Sequence, residues 1–131
     1  MSTDDTLARL LAYHGLIYRL GNGWTLRFRI RQSGASAGRP HGIKYAFTLH
    51  DIDGTRLLGF DNAHGLARTQ AYDHLHRFRN PAELVPYAFQ GHDELICDFF
   101  DAVKAACRRE GVLFDIVDEE LGEDDHEENQ G

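Results

Sequence analysis

The sequence predicts an α+β domain: an antiparallel meander sheet of four to five strands, an N-terminal helix, and a long C-terminal helix packed on the sheet's apolar face. Three observations carry this. Asn22-Gly23 and Asp53-Gly54 each stand between segments of alternating apolar and polar residues, the pattern of tight hairpin turns. Trp24, Leu26, Phe28 and Ile30 alternate with Thr25, Arg27, Arg29 and Arg31, the clearest period of two in the chain. Between residues 91 and 110, Leu95, Ile96, Phe99, Phe100, Val103 and Cys107 recur at helical spacing and form one broad apolar face.

A chain of 131 residues, 42% apolar and 11% aromatic, suits one globular domain, expected over 1–117 and followed by an acidic, disordered tail over 118–131. Cys97 and Cys107 lie on one predicted helix, about 15 Å apart along its axis, too far for a bridge within it. No disulfide framework is expected, which points to a reducing cytoplasm. The first residues lack the basic and apolar regions of a signal peptide, and no apolar run approaches the roughly twenty residues of a membrane span.

The net charge of −7 conceals an asymmetry. Eight acidic residues and no Lys or Arg fall between Asp118 and Glu128, so residues 1–117 carry 14 basic against 13 acidic groups. From Arg19 to Arg79 there are ten basic and four acidic residues, with five histidines added. A basic middle suits polyanion binding, because neutralising phosphates releases counterions. The tail is then either a competitor that folds back or a solvated terminus.

Taken in order, Asp4 to His14 predicts a helix, with Ser2 or Thr3 as cap, Asp4 and Asp5 at its anion-favouring end, and Leu7, Leu10 and Leu11 as its apolar stripe. Leu16 to Leu20 and Trp24 to Gln32 form the first hairpin. Same-face residues on a strand lie about 7 Å apart, near the spacing of phosphates along a nucleic-acid strand. Arg27, Arg29 and Arg31 are thus a candidate backbone-binding ladder, or an ordinary solvated face. Ser33 to Gly42 reads as a loop, and Ile43 to Asp51 as a strand that adds Lys44 to the basic side. The Asp51-Ile52-Asp53-Gly54 turn lacks the later ligands of a calcium loop. Thr55 to Asp61 is the next strand, Gly65 to Ala71 a loop carrying Arg68, and Tyr72 to Phe78 a last meander strand of mixed pattern. Asn80-Pro81-Ala82-Glu83 predicts a capped helical turn, Gly91 to Glu110 the long helix ended by Gly111, and Val112 to Val117 a short strand.

The chemistry concentrates between Phe60 and Phe78, where Asp61, Asn62, His64, Arg68, Asp73, His74, His76 and Arg77 fall close together. Asp61-Asn62-Ala63-His64 at a strand end, then His74-Leu75-His76 and a C-terminal helix, resembles the TumE family of toxins from bacterial toxin-antitoxin pairs. The resemblance covers roughly residues 10 to 108, and its specific part is 60–64 and 74–77. It implies a toxin acting on RNA or another nucleic-acid-linked target, paired with a DNA-binding helix-turn-helix antitoxin. His64 is followed here by Gly65-Leu66, and the acidic tail is a further departure from the family pattern.

Three readings of these residues remain open. In a ribonuclease that needs no metal or other cofactor, one of His64, His74 and His76 takes the proton of a 2′-hydroxyl and another protonates the leaving oxygen. Asp61 belongs to that set, and Arg68 or Arg77 stabilises charge on the phosphate. Arg27, Arg29, Arg31, Lys44 and Arg68 are the candidate nucleic-acid contacts, whether or not catalysis follows. In a metal site, His74 and His76 join Asp61 or His64 as ligands. In a structural role, the histidines bond at a sheet edge or a homodimer interface while Asp61-Asn62 holds a turn. No nucleophile elbow supports serine or cysteine catalysis.

Overall fold

The computed structural model describes residues 3–35, 41–62 and 73–122. Its elements run α1 (Thr3–Leu11), β1 (Leu16–Leu20), β2 (Thr25–Gln32), β3 (Ile43–His50), β4 (Arg56–Asp61), β5 (His74–Arg77), β6 (Asn80–Pro86), α2 (His92–Glu110) and β7 (Ile116–Leu121). The strands form one sheet in the order β6-β5-β4-β3-β2-β1-β7, every neighbouring pair antiparallel. The α+β meander with a long helix is as expected, but the sheet has seven strands rather than four to five.

Strand alternation divides the sheet into two chemically different faces. Leu26, Phe28 and Ile30 of β2 and Tyr45, Phe47 and Leu49 of β3 are buried on one face. There α2 lays Phe99 against Phe28, Phe47 and Phe60, with ring centroids 5.5, 5.7 and 5.9 Å apart. Truncating a fully buried phenylalanine of this kind costs about 3–5 kcal/mol, so these contacts fix α2 to one side of the sheet. Gly111 ends α2 at φ 71°, a left-handed conformation that glycine adopts without steric cost, and the Val112 amide returns to the Cys107 carbonyl at 2.8 Å.

β6, and a last strand that starts later and runs further than the one expected at Val112 to Val117, correct the expectation from sequence. Asn80 and Glu83 do meet, Nδ2 donating to Oε1 at 3.1 Å, but on an extended backbone rather than a helical turn. Phe78-Arg79 makes a two-residue hairpin turn with Arg79 at φ 57°, and this turn directs residues 80–86 back along β5. Pro81 is compatible with β6 because β6 is an edge strand, where a missing N–H need not break a ladder. At the other edge, β7 begins at Ile116, not Val112, and continues through Asp118, Glu119 and Glu120 into the segment expected to be disordered from 118 onward. The free edge of β1 supplies its backbone partners, and Arg19 sits 4.0 Å from Asp118 and 3.9 Å from Glu120. Residues 123–131 lie outside the described residues.

Candidate functional site

The face away from α2 carries the polar residues in rows across the sheet. Arg29 pairs with Ala46, Ala46 with Asp61, and Asp61 with His74. One row along, Arg27 pairs with Thr48, Thr48 with Gly59, and Gly59 with His76. Neighbouring strands are about 4.8 Å apart, so the arginines of β2 stand roughly 10–15 Å from the Asp61–histidine rows on the same face. Arg31 lies opposite Lys44. Arg27 is exposed, whereas Arg29, Arg31 and Lys44 are half-buried. Leu75, between the two histidines, points the other way and packs against the core. That alternation puts His74 and His76 on the polar face.

Asp61 is the hub of this arrangement. His74 Nε2 lies 3.0 Å from its Oδ1, His76 Nε2 3.2 Å from its Oδ2, and Arg56 Nη2 donates to Oδ2 at 3.0 Å. The two imidazoles are edge to face, with ring centroids 5.1 Å apart. The Asp61 side chain is only 10% exposed, His74 5% and His76 15%, whereas Arg56 is 33% exposed, so the cluster meets solvent mainly at Arg56 and His76. A carboxylate this deep is costly to bury without compensation. Three donors converging on two oxygens provide it. An ionised carboxylate only accepts, so the two Nε2 atoms carry the hydrogens in these contacts.

Arg56 was not among the sequence candidates. Five residues from Asp61, it belongs to the opposite face of a regular strand. The β3–β4 register shifts between Leu49 and His50: Leu49 pairs with Leu58 but His50 with Arg56, leaving Leu57 as the extra residue. This bulge reverses the alternation and brings Arg56 to Asp61. Its guanidinium lies over Gly59, where a Cβ would stand 2.5 Å from Nη2 and 2.9 Å from Nε. Glycine is thus the residue that leaves room for the Arg56–Asp61 pair.

Asn62 ends β4 by substituting its side chain for backbone. Its Oδ1 accepts from the Tyr45 amide at 3.0 Å, its Nδ2 donates to the Ile43 carbonyl at 2.9 Å, and its own amide donates to the Tyr45 carbonyl at 3.2 Å. Asn62 is fully buried, and its role here is to hold Asp61 in place.

A second polar cluster lies on the α2 side. His41 Nε2 faces both oxygens of Asp73 at 3.0 and 2.9 Å, and the Tyr45 hydroxyl donates to Asp73 Oδ1 at 2.6 Å. Burial, then the neighbouring Asp73 charge, pushes the Tyr45 hydroxyl far above the usual phenol range, so it stays a donor. The His41 ring lies 4.1 Å from that of Phe89. This cluster anchors residue 73 to β3 as Asn62 anchors residue 62, so both ends of the segment 63–72 are tied to the start of β3. His64 and Arg68 belong to that segment and lie outside the described residues. Arg77 is placed apart from Asp61: its Nε meets Glu83 Oε2 at 3.1 Å, beside a cleft of about 450 Å3 between the β5–β6 edge and α2.

His74, His76 and Asp61 therefore form the described centre, with Arg56 joined to it, and each of the three offers a ligand atom within 4.8 Å of the others. Such a set can exchange protons, grip a phosphate, or coordinate a cation. Among the described residues, no helix is long and apolar enough to cross a membrane.

No curated protein and no solved structure matches the chain. A family model described as Toxin TumE matches residues 16–106, a span that runs from β1 into the last turns of α2 and includes every residue of the Asp61 cluster. By that match, the chain belongs to the TumE toxin family.

Proposed function

We propose that this toxin acts on RNA as a metal-independent endoribonuclease, with histidine acid–base chemistry centred on Asp61, His74 and His76. The observation that carries the proposal is the convergence of both imidazoles on one buried carboxylate, on the same sheet face as Arg27, Arg29, Arg31 and Lys44. An RNA backbone crossing from β2 over β3 toward β4 and β5 would bring a phosphodiester to this centre, with the arginines neutralising flanking phosphates. Arg68 is a further candidate contact.

In this mechanism one of His64, His74 and His76 takes the proton of a 2′-hydroxyl. The 2′-oxygen forms its bond to phosphorus as the bond to the 5′-oxygen breaks, and a second histidine gives that oxygen its proton. The products are a 2′,3′-cyclic phosphate and a 5′-hydroxyl end. Asp61 stabilises whichever imidazole carries the extra proton. His76, the more exposed of the two described histidines, is the better placed to meet substrate. Charge gathering on the phosphate is met by an arginine, for which Arg56 now joins Arg68 as a candidate, while Arg77 stands apart with Glu83.

Family membership supports an antitoxin partner. We take it to be a helix-turn-helix protein of a type II pair, acting in the cytoplasm. A homodimer is a further candidate partner. The test is RNA cleavage and growth inhibition by His64→Ala, His74→Ala and His76→Ala, each verified as folded. The proposal expects loss of both in at least two of the three; unchanged cleavage and toxicity in all three ends it. A binding module without catalysis would instead lose RNA affinity on Arg27, Arg29 and Arg31 substitution and yield no products at any enzyme concentration.

A further inference from the structure

We propose that Asp61, His74 and His76 also form a site for one divalent transition-metal ion, for which Zn2+ is the fitting probe, and that its binding silences the acid–base chemistry. The silencing clause rests on the ribonuclease reading; the site itself does not. Two imidazole nitrogens and one carboxylate oxygen are a ligand set suited to zinc and its neighbours, and three protein ligands leave a position for water or an added ligand. Ligand atoms about 2.0–2.2 Å from a tetrahedral ion stand roughly 3.3–3.6 Å from one another. The His74 Nε2–Asp61 Oδ1 and His76 Nε2–Asp61 Oδ2 separations are 3.0 and 3.2 Å, and all three residues reach within 4.8 Å. A small rotation of one imidazole closes the remaining gap. Arg56 donates to Oδ2 at 3.0 Å and so helps to fix the plane of the carboxylate.

The same atoms serve both uses. On coordination, the proton on each Nε2 moves to Nδ1 or to solvent, and the Nε2 lone pair is committed to the ion. With Nε2 on the ion and the hydrogen on Nδ1, the ring has no lone pair left to take a substrate proton, so the metal and the catalytic proton compete for the same imidazoles. Availability of the free ion would then set the fraction of toxin able to act.

The experiment titrates Zn2+ into untagged, chelator-stripped full-length protein against a chromophoric chelator, with thermal melts in parallel. Wild type should take up one ion per chain and melt higher with Zn2+. Removing a group that merely hydrogen-bonds to a metal ligand typically weakens binding by about 10–100-fold, so loss of a ligand itself should cost more than about 100-fold. His76→Gln and Asp61→Asn are the ligand variants, and His92→Gln, at the start of α2 on the other side of the sheet, should bind as wild type. His76 is half-buried, so its variant is the one expected to stay folded, and an unshifted melt of that variant on adding Zn2+ supports the site directly. Absence of stoichiometric uptake, or equal uptake by His76→Gln and Asp61→Asn, overturns the site. Cleavage of RNA is scored separately. Suppression by one equivalent of Zn2+ supports silencing. Cleavage that requires Zn2+ overturns both silencing and metal independence, and zinc uptake without cleavage under any condition removes the ribonuclease reading while the site stands.

Discussion

Replacing Asn62 by alanine removes the side chain that fastens the end of β4 to β3. Two bonds go: Oδ1 from the Tyr45 amide and Nδ2 to the Ile43 carbonyl. Both backbone groups belong to residues at most 2% exposed, so water cannot replace the missing partner without opening the sheet. A buried group left unsatisfied costs about 1–3 kcal/mol, which gives roughly 2–6 kcal/mol for the pair. At about 3–6 °C per kcal/mol for a chain of this size, the midpoint of melting should fall by at least about 6 °C. Urea unfolding is the direct assay: the midpoint should drop while the slope with denaturant stays unchanged, because the same surface is exposed on unfolding. Asn62→Asp keeps the acceptor facing the Tyr45 amide but turns a donor into an acceptor against the Ile43 carbonyl, so it should recover little. A loss below about 0.5 kcal/mol, the range of an ordinary surface substitution, would refute the anchoring role.

Gly59→Ala puts a methyl group where the Arg56 guanidinium lies and should expel it from Asp61, reducing activity with little loss of stability; wild-type activity in this variant would show that Arg56 is dispensable. Neutralising Arg27 and Arg31 together should weaken RNA binding at low salt and lower the slope of log affinity against log salt by about 1–2, near one for each phosphate no longer neutralised; an unchanged slope would remove the ladder from the interface. His92 and His50 are held below the ordinary imidazole value of 6.5, in both cases chiefly by burial. Their unfolded forms bind the proton more readily, so their contribution to stability is complete above pH 6.5 and is lost as pH falls through the depressed folded values. Melting temperatures followed from pH 7.5 to 5.5 should therefore drop less steeply in His92→Gln than in wild type, and parallel curves would contradict this.

The parts of the fold that were legible in the sequence are those where side-chain period and burial agree. In β2, each of Leu26, Phe28 and Ile30 is buried and each intervening arginine is not, so the strand and its faces follow from alternation alone. The long helix followed from a broad apolar face closed by Gly111. Asn80 to Pro86 misled because Asn-Pro-x-Glu has the residues of a helix start, and only the Arg79 turn and an edge position make it a strand. The final strand starts later and runs further than its residues suggest, because acidic residues disfavour strands on their own; the open edge of β1 with Arg19 beside it decides otherwise. Within the site, Asp61 and the two histidines were evident as residue types in a short span. Their convergence was not, since it depends on β4 and β5 pairing in a register that sets Asp61 opposite His74. Arg56 was hidden by the bulge at Leu57, and the His41–Asp73–Tyr45 cluster by separations of 28 to 32 residues.

The Asp61→Asn variant tests the central claim most directly, because it keeps the shape of the side chain that both histidines address while removing its charge. Cleavage of a single-stranded RNA should be followed with chelator present, on protein shown to be folded by its circular dichroism and melt. General acid–base catalysis contributes about 10²–10⁴-fold. The expected result is a fall of at least about 100-fold, together with loss of growth inhibition. Cleavage and toxicity within about threefold of wild type, far short of that range, would mean that the Asp61 cluster is not the centre of this toxin's activity.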